Sequence, residues 1–94
     1  MPTTTAIVTI KNKLGLHARP AMAFVDSASL FTSDITVRRT DTPDEAPVDG
    51  KSIMMMMMLA ATQGTALEIA ASGDDAEKAI DALKKLVEAG FDEE

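Results

Sequence analysis

The chain has no cysteine, no tryptophan and no tyrosine, and it carries only three phenylalanines and one histidine. Without cysteine, neither a disulfide framework nor a thiolate metal site can form, and a lone histidine is a poor basis for structural zinc. The scarcity of rings, together with a formal net charge of −6, argues against nucleic-acid binding, which calls for a basic face and stacking platforms. The longest apolar run, Ile53 to Ala61, falls well short of the ~20 residues of a membrane helix, so no membrane insertion is expected. Met1 to Thr5 lacks the basic and apolar stretches of a signal peptide. These absences point to one small, acidic, cytoplasmic domain over residues 1–94, with no metal and no cofactor.

What is present is strongly patterned. Thr4 to Ile10 alternates and is rich in β-branched residues, which predicts a strand with Ala6, Val8 and Ile10 on one face. Lys11 to His17 reads as a loop. Ala18 to Ser29 reads as a helix, with Ala21, Val25 and Ala28 at helical spacing and Met22 and Phe24 flanking them on a core face. Asp34 to Arg39 alternates again, with Ile35 and Val37 inward. Thr40 to Pro47 carries two prolines and three acids and reads as a solvated loop before a short third strand, about Ala46 to Asp49, at a sheet edge. Lys51 to Ala61 is expected to form a second helix, and Thr65 to Ala71 the last strand, with Leu67 and Ile69 inward. Asp74 and Glu77 have the spacing of a capping box for a third helix. Its stripe is Ala76, Ala79, Ile80, Leu83, Leu86 and Val87, and Gly90 marks its end. The order β-α-β-β-α-β-α predicts an α+β fold in which a four-stranded antiparallel sheet is covered on one side by three helices.

The histidine lies in Gly15-Leu16-His17-Ala18-Arg19-Pro20, just before the first helix. Pro20 falls in the first turn, where a missing N–H costs nothing. The imidazole thus stands beside a helix N-terminus, whose free N–H groups of Ala18 and Arg19 and positive dipole end attract an anion. Arg19 adds a guanidinium matched to phosphate geometry. A lone histidine before a helix is commonly only a cap or a surface residue. Caps, however, are normally Ser, Thr, Asp or Asn. A neutral imidazole is also a competent nucleophile near neutral pH. No phosphate-cradling glycine loop or metal-binding carboxylate pair is visible, so the chain alone should not use phosphoenolpyruvate or a nucleotide directly.

The hexapeptide resembles the active-site motif of the HPr family, the phosphocarriers of the bacterial phosphotransferase system, and the likeness extends over nearly all 94 residues. It implies an open-faced β-sandwich. It also implies that His17 accepts a phosphoryl group, on Nδ1, from enzyme I and passes it to an enzyme IIA domain, with Arg19 offsetting the charge. Such a chain is a carrier with a phosphohistidine intermediate rather than a stand-alone enzyme, and a monomer is the natural state for a protein that docks repeatedly. Regulatory relatives, of nitrogen-branch or catabolite-control type, share His17, so the motif does not separate them. A purely scaffolding domain would leave His17 dispensable. Compared with the HPr pattern, the Thr40 to Pro47 loop is a few residues longer.

Ser52 begins the methionine helix, where serine is a good N-cap. Lys51-Ser52-Ile53-Met54 also resembles the regulatory serine region of HPr proteins modified by HPr kinase/phosphorylase, which implies that kinase as a further partner. Met55 stands where the Gram-positive-type motif often has glycine. Within the run Met54 to Met58, spacing places Met56 and Leu59 inward and leaves Ile53, Met54 and Met57 as an outward, adaptable partner surface.

Overall fold

Period-two alternation decides which side of the sheet is filled. The computed structural model describes residues 3–92, in which β1 (Thr3–Thr9), β2 (Asp34–Arg39), β3 (Val48–Asp49) and β4 (Ala66–Ser72) form one sheet of order β1-β4-β2-β3. Every pairing is antiparallel. Register sets Ile69 of β4 between Ala6 of β1 and Val37 of β2, and Val37 faces Val48 of β3. Val8, Ile35, Val37, Leu67, Ile69 and Ala71 are buried, whereas Thr5, Ile7 and Thr9 face out on the other side. One face of the sheet therefore carries the core, and the other is left open.

The buried face is covered by α1 (Ala18–Ala28), α2 (Ile53–Met58) and α3 (Ala76–Glu88). From α1, Ala21, Phe24, Val25 and Ala28 enter the core at helical spacing, and from α3 come Ala76, Ala79, Ile80, Leu83 and Val87. Leu86 packs on the margin of this core. Gly90, with φ +65°, takes the left-handed conformation that ends α3, and Phe91 then folds back into the core. The expected open-faced α+β arrangement is the one observed.

Several local expectations are corrected. Met22 is half exposed and does not join the core face of α1. The third strand contains only Val48 and Asp49, because the proline-flanked loop before it turns on itself, with Glu45 N–H donating to the Thr42 carbonyl at 3.1 Å. Instead of spanning Lys51 to Ala61, α2 has six residues, since Ser52 caps its start and Ala60 adopts φ +50° beyond its end. Ile53 is partly buried against the core rather than fully outward. Asp74 is not the cap of α3. Asp75 holds that position, and its carboxylate is drawn away to the backbone N–H groups of Thr32 and Ser33, at 2.9 and 3.0 Å. Strands β1 and β4 are each offset by one residue from their expected bounds.

Candidate functional site

The segment between β1 and α1 is a folded loop with its own fastenings. Gly15 N–H donates to the Asn12 carbonyl at 3.2 Å, and the Asn12 amide returns a bond to the Gly15 carbonyl at 2.7 Å. Asn12 is buried, so this side chain belongs to the loop's interior. Leu16 N–H then donates to the Ala61 carbonyl at 2.8 Å. Gly15 has φ +70°, and a Cβ there would lie 2.5 Å from the Ala61 oxygen and 2.9 Å from the Thr62 Cα. Glycine is required twice over, by the left-handed backbone and by the close approach of the chain after α2.

This seating delivers His17 to the N-cap position of α1 with extended backbone, φ −80° and ψ −171°. Its carbonyl accepts the first intrahelical bond, from Ala21 N–H at 3.0 Å, while its imidazole makes no capping bond. The ring is partly exposed, and Ala18 and Arg19 beside it are exposed. Their N–H groups precede the first intrahelical donor and so have no acceptor within the helix. Pro20 contributes no N–H and is buried, anchoring the turn. The Arg19 guanidinium enters none of the ion pairs formed among the described residues. A partly exposed imidazole, two backbone donors without intrahelical acceptors and an exposed arginine thus share the start of one eleven-residue helix. The arrangement can present a nucleophilic nitrogen and hold the anion it receives. Among the described residues, no group of three or more His, Cys, Asp or Glu side chains could hold a metal ion.

Ser52 is the N-cap of α2, as its residue type suggests, with its hydroxyl accepting from Met55 N–H at 3.3 Å. Its neighbours are fixed: Lys51 N–H donates to the Asp49 carboxylate at 2.9 Å, and Lys51 Nζ donates to the Phe31 carbonyl at 2.8 Å. Along the methionine run, Met54 and Met58 are 76% exposed, Met57 is 43% exposed and Met56 is fully buried. The inward assignment of Met56 and Leu59 is therefore observed, as is the outward one of Met54 and Met57. Leu14, Met22 and Met58 add exposed apolar surface on the His17 loop, α1 and α2.

Sequence reasoning placed Asn12 and Gly15 in the loop without giving either a role, and it did not single out Arg39. A glycine two residues before the histidine was a usable signal for a tight approach. Arg39 gave none, because a charged residue ending an alternating strand reads as solvated. Its guanidinium instead grips both Asp41 carboxylate oxygens, Nε at 2.9 Å and Nη2 at 2.8 Å. Nη1 donates to the Leu59 and Ala60 carbonyls at 3.1 and 3.2 Å. The paired bonds hold the Asp41 carboxyl below its ordinary range and raise the guanidinium above its own.

Comparison with known proteins agrees with this geometry. A family model described as "PTS HPr component phosphorylation site" matches residues 4–89. The chain is 47% identical to phosphocarrier protein NPr of Proteus mirabilis over 87 residues, 93% of each chain. It is 49% identical to phosphocarrier protein HPr of Pseudomonas putida over 86 residues, 92% of each. The crystal structure of HPr from Thermoanaerobacter tengcongensis superposes with a TM-score of 0.87 at 46% identity, covering 97% of this chain and 98% of that one. With the histidine at the N-cap position of α1, the sheet order and these relatives in agreement, the chain belongs to the HPr family of phosphotransferase-system phosphocarriers.

Proposed function

We propose that His17 is the phosphoryl acceptor of a single HPr domain covering residues 1–94. In the transfer, an imidazole nitrogen, Nδ1 by family likeness, attacks phosphorus on phosphorylated enzyme I. A P–N bond forms to His17 as the bond from phosphorus to the donor breaks, and the three peripheral oxygens remain on the group. The Ala18 and Arg19 N–H groups and the Arg19 guanidinium stabilise those oxygens, supplying position and charge rather than a full catalytic apparatus. A nucleophilic side chain of an enzyme IIA domain then attacks the same phosphorus, and the P–N bond to His17 breaks with its electron pair returning to the imidazole. Because Pro20 offers no N–H, the anion seat is shallow, which suits a group that must leave again. The observation that carries this reading is the His17 imidazole at the α1 N-cap, not used for capping, beside two backbone donors without intrahelical acceptors.

The test is incubation with enzyme I and labelled phosphoenolpyruvate in the cytoplasmic buffer range. One phosphoryl group per chain should be incorporated, labile to acid and stable to base, as a phosphoramidate is. His17→Ala should abolish that label without lowering the melting temperature. Undiminished acid-labile labelling of His17→Ala would overturn the assignment.

A second reading places the same transfer in a regulatory branch, where the phosphorylation state controls enzymes or transcription instead of sugar uptake. The identities to the NPr relative, 47%, and to the HPr relative, 49%, are nearly equal and support either branch alike. Parallel transfer to IIA domains of the sugar and nitrogen branches separates the two. Ser52 phosphorylation by HPr kinase/phosphorylase is a further part of the proposal. Its support is a partly exposed hydroxyl at a helix N-terminus, where the added charge is tolerated.

A further inference from the structure

The end of α2 is held by a side chain that neither the helix nor the histidine motif announces. Ala60 sits at φ +50°, a conformation unfavourable for a residue with a Cβ, and the carbonyls at the end of a helix lack intrahelical donors. Arg39 answers both needs from the end of β2. One terminal nitrogen reaches the Leu59 and Ala60 carbonyls, at 3.1 and 3.2 Å, and the remaining fork closes on both oxygens of Asp41. One residue later, Ala61 offers its carbonyl to Leu16 N–H at 2.8 Å, and its oxygen lies only 2.5 Å from where a Gly15 Cβ would be.

We propose that Arg39, braced by Asp41, is a positioning residue for phosphoryl transfer: it fixes the Leu59–Ala61 backbone on which Gly15 and Leu16 are seated, and so sets the place of His17. The proposal rests on the reading of His17 as acceptor. It also gives the long Thr40 to Pro47 loop a task, since Asp41 lies in it. Asp41 aims the guanidinium from the solvent side, and Thr40 N–H ties the loop's start to the Ala66 carbonyl at 3.1 Å. Lysine could not replace Arg39, because one ammonium cannot span a carboxylate and two carbonyls with the same rigid fork. Displacement of a reacting group by as little as 1 Å can cost on the order of a hundredfold in rate, so a backbone support one residue from the seat matters.

The test compares full-length parent, Arg39→Ala, Arg39→Lys and Asp41→Asn by amide hydrogen exchange and by phosphorylation kinetics with enzyme I. In Arg39→Ala the Leu16 amide should exchange about tenfold faster or more, while the Ile69 amide of the central strand keeps its parental rate. The kcat of His17 phosphorylation should fall several-fold with KM for the carrier unchanged, because the docking residues are untouched. Arg39→Lys should fall between parent and Arg39→Ala, and Asp41→Asn should shift the same readouts less. Equal acceleration of Leu16 and Ile69 would mean a general loss of stability and overturn the proposal. So would an unchanged Leu16, or a loosened Leu16 with parental kcat. A parent that enzyme I fails to phosphorylate would instead overturn the His17 reading, whatever the exchange rates show.

Discussion

The Asp75 carboxylate, at the start of α3, accepts the backbone N–H of Ser33 at 3.0 Å and also the Ser33 hydroxyl, across a separation of 42 residues. The contact is tight on the other side as well, since a Cβ on Gly73 would lie 2.6 Å from the Ser33 oxygen. These bonds, with those from Thr32, lower the Asp75 carboxyl from 3.8 to about 2. The group is depressed in the folded chain, so its contribution is fully present above the unfolded value and is lost as pH falls through the folded one. Denaturant unfolding of parent and Asp75→Ala should differ by a constant amount at neutral pH. That difference should shrink as the pH falls from about 5 to about 1, passing through the folded value, and level off only below it. A pH-independent gap would show that the carboxylate is not held in its charged form.

Arg19→Ala should slow phosphoryl transfer without preventing it. Losing one charge-assisted contact to the incoming group costs on the order of 2 kcal/mol, or roughly tens-fold in rate. Rapid-quench kinetics at low salt measures this, and unchanged rates would reduce Arg19 to a surface charge.

At Ser52 two substitutions separate cap from switch. Ser52→Ala removes the bond to Met55 N–H and should cost about 1 kcal/mol of stability with transfer nearly intact. Ser52→Asp keeps a capping oxygen and adds charge, so it should preserve the melting temperature while slowing phosphorylation by enzyme I. Parental transfer in Ser52→Asp leaves the serine as a cap only.

Neighbouring methionines should behave as opposites. Met56→Ala empties a fully buried site and should lose about 2–5 kcal/mol, whereas Met58→Ala, at 76% exposure, should stay within about 0.5 kcal/mol. Met54→Asp and Met57→Asp should fold as the parent does but bind enzyme I more weakly, by calorimetry. Strong destabilisation by either would place that side chain in the core instead.

The features legible in the sequence were those set by local periodicity. Val8, Ile35, Val37, Leu67 and Ile69 could be turned inward because a strand has only two faces, and Met56 with Leu59 because one helical stripe must meet the sheet. His17 was legible because its neighbours, a proline in the first turn and an adjacent arginine, make sense together beside a helix start. What escaped was decided by partners distant in sequence. Asp75 rather than Asp74 starts α3 while its carboxylate serves Thr32 and Ser33. Ala60 turns left-handed without a glycine to signal it, and Arg39 settles the end of α2 from 20 residues away. Met22 lies at the border of a helical stripe, where a shift of one position separates core from solvent.

The six residues of α2 make less than two helical turns, far below the ~12–15 that an isolated helix needs in water. Its persistence is therefore borrowed: from Met56 below, from the Ser52 hydroxyl at one end and from the β2 guanidinium at the other. The apolar side chains it shows to the outside, Met54, Met57 and Met58, share a platform that exists only while the rest of the domain holds it. Emptying the Met56 site beneath α2 should accordingly be felt as altered recognition at Met54, Met57 and Met58, outer side chains that are themselves unchanged.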